Sequence, residues 1–164
     1  MSKTEENLKE AFAGESQANR KYLAFAKKAD QEGYKQVAKL FRAAAEAETV
    51  HAHAHLRVLG GIRSTKENLE EAISGETHEF TKMYPDMITA AKSEGKKAAE
   101  MSFDYANQVE KVHATLYQKA MDDLGKNVET DYYVCQVCGN TVEGEAPEKC
   151  PICGAPKVSF KKMD

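Results

Sequence analysis

Cysteine is missing from the first 134 residues of this 164-residue chain, then appears four times in the last 30. No apolar run approaches the roughly 20 residues that a bilayer-spanning helix needs, which argues against a membrane role. No cluster of Lys or Arg stands out, and the net charge is only −3, so neither nucleic acid nor an anionic membrane surface is an expected partner. The opening Met1-Ser2-Lys3-Thr4-Glu5-Glu6 lacks the apolar segment of a secretory signal. A cytoplasmic location is therefore expected. In such a reducing compartment the late cysteines read as metal thiolates rather than disulfides.

Proline is also absent from residues 4–32, a stretch rich in Ala, Glu, Lys and Leu. Leu8, Phe12, Glu15, Tyr22 and Phe25 recur there near one face at helical spacing, and Gly33 is a natural stop. A second helix is predicted over 35–59, ended by Gly60-Gly61. A third is predicted over 65–94, capped by Ser64 or Thr65, with a kink at Pro85 where a backbone donor is lost. A fourth is predicted over 96–124, ending near Gly125. Four long helices joined by short turns make a mainly α bundle.

The first two helices repeat in the second two. At an offset of 61, Gly14 matches Gly75 and Glu15 matches Glu76. At an offset of 62, Tyr22 matches Tyr84, Gly33 matches Gly95, Phe41 matches Phe103, Glu48 matches Glu110 and His51 matches His113. A duplicated structural hairpin would keep its apolar stripe, but here acids and imidazoles recur too. One Glu on a helix and Glu-x-x-His on the next, taken twice, is the ligand pattern of a di-metal carboxylate centre in a four-helix bundle. The i,i+3 spacing puts Glu48 with His51, Glu110 with His113, and Glu76 with Glu79 on shared faces.

Glu15, Glu48, Glu76, Glu79 and Glu110 would repel one another in a bundle core, and two divalent cations nearly cancel their charge. Mixed carboxylate and imidazole ligands suit iron or manganese, with zinc an option. Glu79 has Ala18 as its counterpart, so only the second repeat carries an extra acid. One metal position is thus expected to choose between His51 and Glu79 as oxidation state changes. Tyr22, two turns from Glu15 on the same face, is placed to hydrogen-bond a ligand carboxylate. His53 and His78 are expected to face away, and His55 to be at most an outer partner.

After residue 127 helical periodicity vanishes. Residues 132–164 are too few to hold a core without a staple, and Cys135-x-x-Cys138 with Cys150-x-x-Cys153 supplies one. Gly139 and Gly154 follow the second Cys of each pair, which lets backbone N–H groups point at sulfur. Tyr132, Tyr133 and Phe160 are candidates for an apolar shell. Iron and zinc accept the same four thiolates. Attachment to a di-metal bundle favours an iron that carries electrons.

These motifs together resemble the rubrerythrin family. The resemblance rests on Gly14-Glu15-Ser16, Glu48-x-x-His51, Gly75-Glu76-x-x-Glu79, Glu110-x-x-His113, both Cys pairs, and the tail Cys150-Pro151-Ile152-Cys153-Gly154-Ala155-Pro156. It spans essentially the whole chain. It implies a ferritin-like di-iron four-helix bundle over 1–130 and a small rubredoxin-like β/loop domain over 131–164. The implied cofactors are two irons in an oxo- and carboxylate-bridged centre, held by Glu15, Glu48, His51, Glu76, Glu79, Glu110 and His113. A third iron sits on Cys135, Cys138, Cys150 and Cys153, a site that also takes zinc in recombinant protein. The implied activity is reduction of hydrogen peroxide to water in oxidative-stress defence. The glutamates and Tyr22 would serve catalysis, and electrons would come from an NAD(P)H-linked reductase or a rubredoxin. The family also implies a homodimer in which one subunit's rubredoxin-like domain approaches the other's di-iron site. The tail departs from free-standing rubredoxins in its short loop between Cys pairs and in Asn140, near where an aromatic often stands. The rival readings are a ferroxidase or iron-handling protein, and an electron carrier with a structural zinc tail.

Overall fold

The computed structural model describes residues 2–164. In chain order its elements are α1 (Lys3–Gln31), α2 (Lys35–Val58), α3 (Thr65–His78), a π-helical turn (Glu79–Met83), α4 (Tyr84–Ser93), α5 (Lys97–Asp122), β1 (Tyr132–Cys135), β2 (Thr141–Glu143), a 3-10 turn (Lys157–Ser159) and β3 (Phe160–Lys162). The fold is mainly α, with a small C-terminal sheet, and it divides into two compact units, residues 1–63 and 64–164.

The first unit is the α1–α2 hairpin. Ser2 opens α1 and Ser64 opens α3, each in a capping box with the Glu three residues on. Gly33 closes α1 at φ +86°, and the Tyr34 N–H reaches back to the Ala29 carbonyl at 2.8 Å, satisfying an end that a side-chain-bearing residue would strain. Small residues form the seam: Ala26, Ala29, Ala38, Ala45 and Ala52 are buried, which lets the two helices approach closely. Tyr22, Phe25 and Phe41 cluster beside it, with ring centroids 5.5–6.3 Å apart. One polar tie crosses the seam. Buried Asn19 donates its amide to the Ala45 carbonyl at 2.7 Å and to the Thr49 hydroxyl at 2.8 Å.

The second unit repeats the plan with α3, the π turn and α4 packed on α5. Tyr84 and Phe103 stack at 6.3 Å, as their counterparts Tyr22 and Phe41 do at 6.1 Å. The expected kink at Pro85 takes a different form. Pro85 stands in the first turn of α4, and the irregularity lies just before it, where the Tyr84 N–H donates to the Glu79 carbonyl five residues back. The repeat offset changes from 61 to 62 between Glu76 and Tyr84. The widened turn sits within that interval and absorbs the extra residue.

The C-terminal module is a three-stranded antiparallel sheet in the order β2-β1-β3. Among the described residues no helix is long and apolar enough to cross a membrane.

Candidate metal centres

Each unit carries one carboxylate–histidine set. On α1 and α2, ligand atoms of Glu15, Glu48 and His51 all lie within 4.8 Å of one another; on α3 and α5 the same is true of Glu76, Glu110 and His113. The i,i+3 geometry acts as expected. His51 Nδ1 is 3.0 Å from Glu48 Oε2, and His113 Nδ1 is 2.7 Å from Glu110 Oε2 and 3.8 Å from Glu76 Oε1. In both sets the imidazole turns Nδ1 toward the acids, the side on which a shared cation would sit.

The electrostatics of the second set fit such a cation. Burial, then the hydrogen bond and charge of Glu110, push the Glu76 carboxyl up to about 7. Burial and the Glu110 charge also raise Glu79. Glu79 lies outside the group of mutually close ligand atoms, one turn beyond Glu76 at the start of the π turn. Tyr84 is raised by burial and by the charges of Glu110, Glu79 and Glu76, so it lies within their field. Its repeat partner Tyr22 is found in the aromatic cluster, with no hydrogen bond to a carboxylate among the described residues. His53 and His78 are exposed and His55 is partly buried.

The four thiols converge as well. Cys135 and Cys150 are buried, with Sγ–Sγ separations of 3.7 Å for Cys135–Cys153 and 3.6 Å for Cys138–Cys150. Tetrahedral ligation with metal–sulfur bonds of about 2.3 Å requires sulfurs about 3.8 Å apart. The two knuckles superimpose in pattern: the Gly139 N–H donates to the Cys135 carbonyl at 2.8 Å, and the Gly154 N–H to the Cys150 carbonyl at 2.9 Å. Positive φ at both glycines turns the chain so that backbone donors face sulfur. Burial opposes a Cys150 thiolate, but N–H groups of Cys153 and Ile152 overcome it and bring the thiol down to about 7. Burial outweighs the Asn140 N–H at Cys138 and holds that thiol high. Tyr133 and Phe160 are half-buried in the module, whereas Tyr132 is exposed at its edge. Asn140 is 2% exposed, and its side-chain amide nitrogen has no partner.

The module rests on its own chain's α5. His113 Nε2 meets the Thr141 hydroxyl at 3.0 Å, Lys119 pairs with Glu143, and Val109 lies beside Gly139. Within the chain the module thus lies against the helix that bears Glu110 and His113. Thr141 had no signal in the sequence: it is 28 residues from His113 and matches no motif.

A family model described as Rubrerythrin matches residues 6–121, and one described as the rubredoxin-like domain of rubrerythrin matches residues 133–161. The chain belongs to the rubrerythrin family. Rubrerythrin-2 of Clostridium acetobutylicum is 37% identical, over 96% of this chain and 95% of that protein. Nigerythrin of Nitratidesulfovibrio vulgaris is 38% identical, over 96% of this chain and 85% of its own length. The solved structure of fully reduced, all-ferrous nigerythrin aligns with a TM-score of 0.61 at 37% identity, covering 99% of this chain and 88% of that one. Rubrerythrins are di-iron oxidative-stress proteins that also carry a rubredoxin-like iron. The two carboxylate–histidine sets and the four thiols have the donors that both cofactors require.

Proposed function

We propose that this rubrerythrin is a cytoplasmic peroxidase that reduces hydrogen peroxide to water. Residues 1–130 would serve as the di-iron bundle and 131–164 as the electron-accepting module. Glu15, Glu48, His51, Glu76, Glu79, Glu110 and His113 would hold the iron pair, and Cys135, Cys138, Cys150 and Cys153 the third iron. When bound, the iron pair supplies the two electrons that cleave the O–O bond. The protein's residues contribute placement, charge balance and protons. The carboxylates neutralise the cations. A ligand glutamate or the Tyr22 hydroxyl delivers protons to the leaving oxygens. Cys135, Cys138, Cys150 and Cys153 would hold the iron that supplies the returning electrons one at a time, with a rubredoxin or an NAD(P)H-linked reductase as their source and a homodimer as the working unit.

The contrast between the two imidazoles supports an exchange of His51 for Glu79 at one metal position. The His51 side chain is 55% exposed and, among the described residues, hydrogen-bonds only Glu48, whereas His113 is clamped on both nitrogens. The observation that carries the reading is the docking of a four-thiol module against a carboxylate–histidine set, since an iron store needs no appended electron wire. The test is peroxide consumption by the iron-loaded protein with NADH and a reductase. One NADH should be oxidised per peroxide, with no mineral core. Stoichiometric ferrous oxidation that deposits a core, without catalytic peroxide loss, would overturn it in favour of iron handling.

A further inference from the structure

His113 and Thr141 join two parts of the second unit that the known cofactors treat separately. Thr141 Oγ1 donates its only proton to the Gly139 carbonyl at 3.2 Å. Its remaining lone pairs can only accept, and the neighbour at 3.0 Å is His113 Nε2. When a cation takes the Nδ1 lone pair beside Glu110 and Glu76, a neutral His113 keeps its hydrogen on Nε2 and donates it to the Thr141 oxygen. A ligand imidazole held by its far nitrogen keeps one tautomer and one ring orientation. Among the described residues nothing comparable holds His51. The clamp is also short in covalent terms, since Gly139 directly follows Cys138. The chain of bonds Cys138–Gly139, the hydrogen bond to Thr141, and the hydrogen bond to His113 run without a gap from one metal-binding group to the other. Val109 beside Gly139 and Lys119 on Glu143 flank this link along the same helix.

We propose that Thr141 is a positioning residue that fixes the His113 ring for metal binding and makes Cys138–Gly139–Thr141–His113 the entry route for electrons into the carboxylate site. This rests on the reading above, in which the thiolate iron re-reduces the pair. In each transfer the thiolate-held iron is oxidised by one electron and the iron held by Glu76, Glu110 and His113 is reduced by one. No bond breaks, and the Thr141 proton stays on its own oxygen, directed at the Gly139 carbonyl. A one-electron donor of the rubredoxin class then refills the thiolate iron.

The test uses the full chain with Thr141→Val and Thr141→Ser. In zinc-loaded, 15N-labelled protein, wild type should show His113 with a slowly exchanging Nε2–H and a metal-bound Nδ1. Valine should lose the protected hydrogen and serine should restore it. In iron-loaded protein, reduced and then mixed with peroxide, the visible absorption of the thiolate iron should recover about tenfold more slowly in the valine variant. Serine should recover at close to the wild-type rate. A wild-type His113 carrying its hydrogen on Nδ1 would overturn the proposal without any variant. So would equal recovery rates in valine and wild type, or equal losses in valine and serine. Failure of wild type to consume peroxide would instead sink the peroxidase reading, and the ring signature would still judge the clamp.

Discussion

The two metal-binding halves carry the same three ligand types at the same spacing, yet they are built differently around them. In the first hairpin the imidazole of His51 stands largely in solvent, and the polar tie between helices is Asn19, away from the ligands. In the second, His113 is half as exposed and pinned by Thr141, an additional acid lies nearby, and a metal-binding module covers the helix. The donors repeat, and what holds them differs.

Removing the second half's central acid should have the largest effect. Glu110→Ala deletes a ligand and leaves Glu76 and His113 without their nearest partner. Because loss of even an outer partner costs about 10–100-fold in metal affinity, iron content should fall by at least that factor on titration. Wild-type iron loading by metal analysis would contradict it. Cys135→Ser uncouples the halves at the donor side. The thiolate absorption should vanish and NADH-supported turnover should slow more than tenfold, while carboxylate-bound iron stays at its wild-type level. Asn19→Ala probes the first half alone. Two buried hydrogen bonds are lost, and hairpin stability should drop by about 1–3 kcal/mol in denaturant melts with His113 unaffected. The smallest effect is expected from Gly139→Ala. At φ +87° a Cβ costs about 1–2 kcal/mol, and it would meet Val109 at an ordinary 3.8 Å, so the module should loosen without losing its metal. A variant as stable as wild type would mean that the knuckle tolerates rearrangement.

Much of this was legible in the residues. Helix ends followed from Gly33, Gly95 and Ser64, whose conformational and capping preferences are local. The ligand sets followed from a repeat, and the thiol cluster from spacing. Contacts that join distant parts of the chain were not legible. Neither His113 with Thr141 nor the module's seat on α5 is written in any periodicity, because they depend on how finished elements pack. Tyr22 shows the same limit from the other side. Its ring packs with Phe25 and Phe41, and the charges of Glu110, Glu79 and Glu76 bear on its counterpart Tyr84.

The turn over Glu79–Met83 has a consequence for how the halves relate as inherited copies. One surplus residue accommodated as a wide turn leaves everything after it in the phase of its counterpart, so Tyr84 meets Phe103 at 6.3 Å as Tyr22 meets Phe41 at 6.1 Å. A hybrid made by splicing the first copy's α1 in place of α3 and α4 would therefore set Tyr22 against Phe103 in the place of Tyr84, but it would put Ala18 where Glu79 stands. The two copies keep one packing direction across that turn, and the acid at position 79 is what sets them apart there.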